Sequence, residues 1–323
     1  ENHPLSAGVI GLSTGGRFGH GKIANALLAE ADVVLLLGSR TGQLCYSNWT
    51  VPSPGAKLVH LDIDPNEIGR NFTTALPLAG DVRETLRDLL TACGRAGRTH
   101  LKTQTSSELA SKRTQWRAEI APAARSSLVP IRPERVMDEI NRAIKPETLI
   151  VTDASYSTGW AMNQMEVPVA GRFILSPRGT ASIGWGLPAA IGAKLGDPNR
   201  DVICITGDGG FGYVINELET AARYRADLIV VVLNNGTLGF QRHWEEKALG
   251  SYLECDFLDI DYSEVARSLK AAGEHITDPD HLAAAIARGR AHVGPYVIDA
   301  VIDPEAAAPI AGFDRPIAAG TTH

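Results

Sequence analysis

Two apolar runs flank a glycine-rich turn and a helical segment, and this pattern constrains the fold more than any other part of the chain. The first run, residues 202–205, breaks at the turn Thr-Gly-Asp-Gly-Gly of residues 206–210. A helix is expected over about 213–224, and the second run, 228–233, ends at Asn234-Asn235. Strand, turn, helix and strand form a βαβ unit, in which both strands end at the same edge of a parallel sheet. The sequence therefore predicts an α/β fold.

Asp208 and Asn235 follow the carboxyl ends of the two predicted strands, where open parallel sheets bind their ligands. A carboxylate, an amide oxygen and nearby carbonyls are hard oxygen ligands of the kind that Mg²⁺ prefers. Glycines on both sides of Asp208 let the backbone approach a diphosphate closely, and the N-terminus of the next helix favours an anion. The alternative is an ordinary glycine-rich turn. Asn-Asn at the end of the next strand favours the site for a metal and a diphosphate.

The same motifs resemble the diphosphate-binding signature of thiamine diphosphate enzymes. Gly207-Asp208-Gly209 followed by Asn234-Asn235 carries the resemblance, and residues 60–65, 184–193 and 235–244 support it. The wider context resembles the branch that contains acetolactate synthase and benzoylformate decarboxylase. The resemblance covers nearly the whole chain, but only the later part of such an enzyme.

The resemblance implies two parallel-sheet domains of the α/β class. The first is an incomplete, Rossmann-like central domain, and the second is the fold that binds the diphosphate of the cofactor. We assign the central domain to residues 1–97, a connector to 98–127, the diphosphate-binding domain to 128–307 and a tail to 308–323.

The resemblance also assigns roles to single residues. The expected magnesium ligands are the side chains of Asp208 and Asn235 and the main-chain carbonyl of Thr237. Ile183 matches a bulky apolar residue that lies beneath the bent cofactor. On the residues alone, Ile183 is a buried aliphatic side chain, and the hydroxyl-rich turn at 155–157 is equally typical of a helix cap. The expected cofactor contacts are Ser155, Tyr156, Ser157, Ile183, Gly207, Asp208, Gly209, Gly210, Asn235, Thr237, Leu238, Gly239 and Phe240.

Gln241 and Trp244 are the expected substrate-pocket residues. Trp244 matches a tryptophan that acetolactate synthases place in the substrate channel, although its spacing from Phe240 also suits a core residue on a helix. Position 243 is His, where most acetolactate synthases have Gln. This departure puts their substrate preference in doubt for this chain.

The implied reaction is a decarboxylation of a 2-oxo acid with carboligation, dependent on thiamine diphosphate and Mg²⁺. One alternative is a 2-oxo acid decarboxylase of the benzoylformate type; those enzymes use active-site histidines, and residues 41–49 contain none. Another is a non-catalytic module that binds the cofactor diphosphate. No catalytic residue is assigned in this chain, because the activating glutamate of this family lies in an amino-terminal domain that no segment here matches. We therefore expect a fragment, or a need for another polypeptide, within a homodimer or homotetramer.

The first domain contains partial matches to a flavin site and to a nucleotide site. Residues 38–40, 62–63 and 80–82 match positions that contact a structural FAD in acetolactate synthases, but residues 41–44 and Ser13 depart from the pattern. FAD is therefore the less favoured alternative. Residues 16–22 read GxxxxGK, but Ile23 stands where a phosphate-binding P-loop needs a hydroxyl, so a nucleotide triphosphatase is not expected.

The composition argues against nucleic acid and membranes as partners of this protein. The net charge of −6 offers no basic surface for nucleic acid, and no apolar run is long enough to cross a bilayer. The four cysteines are far apart and lack CxxC spacing, which favours free thiols in a reducing compartment. We expect a cytoplasmic enzyme that acts on a small molecule.

Overall fold

The computed structural model describes residues 3–16, 18–97, 103–169, 171, 173–177 and 179–311. Residues 98–102 of the predicted connector and 312–323 of the predicted tail lie outside the described residues. The chain forms two compact units, one of Pro4–Trp116 and one of Arg117–His323 with Glu1–His3. The division between them falls inside the predicted connector.

The unit of Pro4–Trp116 is built on a three-stranded parallel sheet with strand order β1-β2-β3. Strand β1 buries Val34 and Leu36 on one face, whereas Val33, Leu35 and Leu37 are exposed on the other. The strand is therefore buried on one face only. The elements are a 3₁₀ turn Leu12–Thr14, α1 Gly21–Glu30, β1 Val33–Leu37, β2 Lys57–Asp62, β3 Leu76–Ala79, α2 Val82–Arg95 and α3 Thr103–Ala124, which continues past this unit.

The rest of this unit contains a capped helix and a series of turns. The Asp81 side chain caps α2, since it accepts from the backbone N–H groups of Arg83 and Glu84. Residues 65–69 form turns, and α2 ends at Arg95. Among the described residues no strand precedes Gly16, which agrees with the rejection of a P-loop.

The second unit contains a six-stranded sheet in which every neighbouring pair is parallel, with strand order β5-β4-β6-β7-β9-β8. The two parallel sheets confirm the predicted α/β class. The elements are α4 Pro133–Ala143, β4 Thr148–Thr152, α5 Tyr156–Gln164, β5 Ile174–Leu175, α6 Gly186–Gly196, β6 Asp201–Gly207, α7 Asp208–Gly212, α8 Glu217–Arg223, β7 Ile229–Asn234, α9 Gly239–Leu249, α10 Tyr262–Ser268, β8 Ala272–Ile276, a 3₁₀ turn Pro279–His281, α11 Leu282–Ala291 and β9 Tyr296–Val301.

Helices cover both faces of the six-stranded sheet. Helices α4, α5 and α11 form one core with the side chains of one face, and α6, α8 and α10 form a second core with the other. Every residue of β4 and β7 is consequently buried. This arrangement explains why these strands are continuous apolar runs and not alternating ones. No described helix has both the length and the apolar composition that a bilayer span requires.

The structure corrects several expected elements of this unit. Of the helix expected over 213–224, residues 213–216 are turns and only α8, Glu217–Arg223, is helical; the short helix α7 precedes this range, mostly at residues assigned to the glycine-rich turn. Helix α10 ends at Ser268, and Ala272 begins strand β8, which was not predicted. Strand β5, of two residues, was also missed. Both missed strands lie at the two edges of the sheet.

Candidate functional site

The predicted site residues meet at the carboxyl edge of the six-stranded sheet. Strands β6 and β7 are neighbours, with Gly207 paired to Leu233, so Asp208 and Asn235 lie side by side. All the predicted cofactor contacts line one cleft there, and so does Gln241. Trp244 is not part of the lining, and 49 % of its surface is exposed, which contradicts the alternative that it is a core residue.

Asp208 is the most constrained side chain of the cleft. It is 3 % exposed, and its Oδ1 accepts from the N–H of Gly209 at 2.8 Å. Its Oδ2 accepts from the N–H of Asn235 at 3.2 Å and of Gly236 at 2.7 Å, both in the loop after β7. Burial raises the pKa of Asp208 to about 6, against the opposite effect of these N–H groups. The carboxylate thus accepts three backbone hydrogen bonds, but no positively charged group among the described residues that line the cleft offsets the cost of burying its charge.

The Asn235 amide completes a cluster of three polar atoms. One of its terminal atoms lies 3.3 Å from Asp208 Oδ1 and 2.8 Å from the Thr237 carbonyl oxygen. With nitrogen in that position, the amide donates to both oxygens; with oxygen there, three acceptors face one another and need a cation among them. Neighbouring ligands of an octahedral Mg²⁺ are about 2.9 Å apart, so the spacing fits this ion.

The composition of the cleft indicates that an anionic ligand would need a bound cation beside it. None of the described residues that line the cleft is a lysine or an arginine. A bound diphosphate would therefore be neutralised here by a metal ion and by backbone groups. Oxygen ligands from a carboxylate, an amide and a carbonyl fit Mg²⁺ better than they fit a soft metal such as zinc.

A second segment fixes the loop after β7. Thr237 Oγ1 donates to the Cys255 carbonyl at 3.0 Å, and the N–H of Leu238 donates to the same oxygen at 2.8 Å. The N–H of Phe257 donates to the Gly236 carbonyl at 2.8 Å. Gly239 must lack a side chain, because a Cβ there would lie 2.6 Å from the Asn235 amide. The loop is therefore preorganised around Asp208.

Two matches to known protein families decide the assignment. The thiamine pyrophosphate enzyme central domain matches residues 1–89, and the thiamine pyrophosphate enzyme C-terminal TPP binding domain matches residues 153–300. The chain belongs to the thiamine pyrophosphate enzymes. The second match contains Asp208, Asn235 and Thr237, so this cluster of polar atoms lies within the TPP binding domain of this family.

Similar curated proteins include acetolactate synthases and a carboligase. The chain is 32 % identical to a probable acetolactate synthase large subunit of Methanocaldococcus jannaschii, over 96 % of the chain and 52 % of the relative. It is 30 % identical to the acetolactate synthase large subunit of Cyanidium caldarium, over 94 % and 50 %. It is 28 % identical to the glyoxylate carboligase of Escherichia coli O157:H7, over 94 % and 52 %. The chain spans about half the length of these relatives.

The first loop of the TPP binding domain is strained. Ser155 adopts φ 67° and ψ −141°, a region that non-glycine residues rarely occupy, and its side chain makes no cap hydrogen bond. The helix-cap alternative is thus wrong for Ser155. Ser157 Oγ donates to the carbonyls of Ala154, at 2.7 Å, and Asp153. A contribution of Ser157 to diphosphate binding would therefore come from its backbone.

Other predicted residues have partners that limit their roles. Tyr156 OH lies 2.9 Å from His243 Nδ1, while His243 Nε2 lies 3.0 Å from the Pro304 carbonyl. Because a carbonyl only accepts, Nε2 carries the proton and Nδ1 accepts from Tyr156. Ile183 is 50 % exposed and faces the cleft, so the alternative of a buried aliphatic residue is wrong for this chain.

Sequence reasoning missed two buried aspartates beside the cleft. Asp153 Oδ1 accepts from the N–H of Gly184 at 3.0 Å, and its Oδ2 accepts from Thr206 Oγ1 at 3.2 Å. Asp153 therefore fixes the backbone next to Ile183. Asp299 is fully buried in β9, a strand that is otherwise apolar. A carboxylate inside an apolar run was the signal that could have identified Asp299.

Proposed function

We propose that the chain binds the diphosphate of thiamine diphosphate through Mg²⁺. Asp208 Oδ1, the Asn235 amide oxygen and the Thr237 carbonyl hold the ion, and the ligand's oxygens and water complete its shell. The observation that carries the proposal is the cluster of three polar atoms around the buried Asp208 carboxylate: a terminal atom of the Asn235 amide lies 3.3 Å from Asp208 Oδ1 and 2.8 Å from the Thr237 carbonyl oxygen.

The position of the metal ion assigns roles to the other residues of the cleft. Gly207, Gly209 and Gly210 let the backbone approach the diphosphate, while Ile183 and Phe240 offer apolar surface to the rings of the cofactor. The helix that starts at Asp208 has five residues, so its dipole adds less than a full helix would. The bound cofactor supplies the carbon nucleophile that lets a 2-oxo acid lose CO₂.

For the full-length protein we propose decarboxylation of a 2-oxo acid with carboligation, like that of acetolactate synthase. The relatives' names, acetolactate synthase and glyoxylate carboligase, favour carboligation over the benzoylformate-type decarboxylase and over a non-catalytic module. Gln241 and Trp244 would contact the 2-oxo acids. The glutamate that activates the cofactor belongs to a pyrimidine-binding domain, supplied by the rest of the protein or by another subunit of a homodimer or homotetramer.

Asp208→Ala tests the metal site. We expect it to abolish Mg²⁺-dependent thiamine diphosphate binding, a loss of at least about 100-fold in affinity, because it removes the only charged side chain among the proposed ligands of the ion. The fold should persist, since Asp208 lies at the edge of the sheet. Isothermal titration calorimetry measures the affinity, and circular dichroism checks the fold.

Asp62→Ala is the matched control, because Asp62 is also a buried aspartate at the carboxyl end of a parallel strand, β2. This variant should bind the cofactor like wild type. Unchanged affinity in Asp208→Ala would refute the metal assignment.

Product analysis tests the reaction. The full-length protein with pyruvate, thiamine diphosphate and Mg²⁺ should form acetolactate. Acetaldehyde as the sole product would favour the decarboxylase, and binding without any turnover would favour the non-catalytic module.

A further inference from the structure

Asp299 is a carboxylate inside the six-stranded sheet whose oxygens are all engaged by protein donors. It is fully buried in the middle of β9. Its Oδ2 accepts from the N–H of Tyr262 at 2.9 Å and lies 2.8 Å from Nδ1 of His275, its direct neighbour on β8. Its Oδ1 accepts from Nδ2 of Asn234 at 3.0 Å. A buried charge so completely hydrogen-bonded has one fixed orientation.

Asn234 carries this orientation into the loop at the cleft. Its Nδ2 donates to Asp299 and, at 3.2 Å, to the Ile260 carbonyl, so its amide cannot turn freely. Its Oδ1 accepts from the N–H of Gly236 at 3.3 Å. The same N–H donates to Oδ2 of Asp208 at 2.7 Å. A continuous series of hydrogen bonds therefore runs from Asp299 through Asn234 and Gly236 to Asp208.

We propose that Asp299 is a positioning residue for the metal site, acting through Asn234 on the loop that carries Asn235 and Thr237. The inference rests on the proposed function, because it assigns a role toward the Mg²⁺ site. Partners that orient metal ligands without touching the ion commonly change metal affinity by about 10- to 100-fold. Asp299 touches neither the ion nor the cleft, so its effect is on the geometry of the loop.

The cluster of Asp299, His275 and Asp261 is not itself a second metal site. Their ligand atoms lie within 4.8 Å of one another. The carboxylates are already engaged, however: Asp299 accepts from three donors, and Asp261 caps α10 by accepting from the N–H groups of Ser263 and Glu264. A cation would have to displace these donors. The geometry therefore favours positioning over ligation.

Asp299→Asn tests the link. The oxygen of the new amide stays with the two donors Tyr262 and His275, so its nitrogen faces Nδ2 of Asn234, and two donors oppose each other. If Asn234 turns its amide over, the N–H of Gly236 loses its bond to Asn234 and keeps only its bond to Asp208 Oδ2. The amide oxygen then also faces the Ile260 carbonyl, which cannot donate. We expect the apparent affinity for Mg²⁺, titrated calorimetrically in the presence of thiamine diphosphate, to fall about 10- to 100-fold. Asn234→Ala breaks the same link from its other end and should have a similar effect, should Asp299→Asn not fold.

A charge swap provides the readout that general destabilisation cannot imitate. In the double variant Asp299→Asn/Asn234→Asp, the new amide donates to the new carboxylate, whose second oxygen again accepts from Gly236. The bond to the Ile260 carbonyl is not restored, because a carboxylate has no donor. Mg²⁺ affinity should therefore recover most, but not all, of what Asp299→Asn loses. The matched control is Asp261→Asn, which changes a carboxylate of the same cluster, keeps a good helix cap and has no bond to Asn234. It should bind Mg²⁺ like wild type.

The Mg²⁺ affinities of these variants either support or overturn the positioning role of Asp299. A drop in Asp299→Asn, recovery in the swap and no change in Asp261→Asn support the proposal. Folded Asp299→Asn with wild-type Mg²⁺ affinity, no recovery in the swap, or an equal loss in Asp261→Asn overturns it, while Asp208→Ala still abolishes binding. If Asp208→Ala also binds normally, the proposed metal site itself fails, and the role of Asp299 fails with it.

Discussion

The two sheets contain similar apolar strands but bury them differently. Strand β7 of the six-stranded sheet buries every residue, whereas β1 of the three-stranded sheet buries only alternate residues, although β1 is a run of valine and leucine and β7 is equally aliphatic up to Asn234. Helices flank both faces of the larger sheet, while the core of the smaller sheet gathers around Val34, Leu36, Tyr46 and Leu58 on one face. An apolar run thus indicates what a strand is able to bury, and the flanking elements decide how much it does bury.

The aspartates at the carboxyl edges of the two sheets also differ in the groups that they contact. Asp62 ends the middle strand of the small sheet, and its Oδ1 accepts from the N–H of Asp64 in its own turn. Asp208 follows β6 and accepts from the loop of the neighbouring strand β7. An aspartate at a strand end becomes part of a shared site only when the next strand's loop closes over it.

Truncation of one aliphatic side chain in each sheet should give the largest contrast. Ile203→Ala, at a position that is fully buried in β6, should lower the free energy of unfolding by about 2–5 kcal/mol, because it leaves a cavity. Leu35→Ala, at a position that is 42 % exposed in β1, should cost less than about 1 kcal/mol. Hydrogen exchange measured on peptides of each sheet reports the two effects separately. Equal losses would show that the exposed face of β1 is covered in solution.

Cofactor should stabilise the two sheets unequally. At 100 times its dissociation constant, a ligand that binds only the folded state adds about 2.7 kcal/mol of stability. With thiamine diphosphate and Mg²⁺, we expect slower hydrogen exchange in β6, β7 and the loop at 235–239, and little change in β1 and β2. The Asp208→Ala variant is the control and should show no protection. Equal protection of both sheets would place a ligand contact outside the proposed cleft.

Ser155→Gly should have a smaller effect, of opposite sign. The backbone of Ser155 has a positive φ that glycine tolerates, so the substitution should raise the free energy of unfolding by about 1 kcal/mol. Ser157→Gly, two residues on and inside α5, should instead lower it by about 1 kcal/mol, because glycine is unfavourable in a helix. Urea denaturation of both variants measures the difference. A loss of stability in Ser155→Gly would mean that its side chain matters more than its strain.

The parts predicted correctly were those in which local sequence and global fold agree. The runs that became β6 and β7 were apolar along their whole length, and the motif residues after them had to meet because parallel strands end at one edge. The location of the cleft could therefore be predicted from the sequence. The roles of its residues remain predictions.

The elements that the sequence did not predict depend on partners elsewhere in the chain. Strand β8 has the sequence AGEHI, which has little β character, and it forms because β9 offers a free edge with His275 opposite Asp299. The same pairing makes His275 a partner of a buried carboxylate. Such long-range pairs leave no periodic signal in the sequence.

The Asn235 amide has a consequence for the protein when no ion is bound. With its nitrogen turned inward, the amide donates to Asp208 and to the Thr237 carbonyl, and so takes over the role of the cation without any movement of the backbone. An aspartate at position 235 would instead oppose acceptors with a further acceptor, and the loop would have to open or take up a proton. Because the neutral amide can present either its nitrogen or its oxygen, the loop is able to keep one backbone conformation both without the ion and with it.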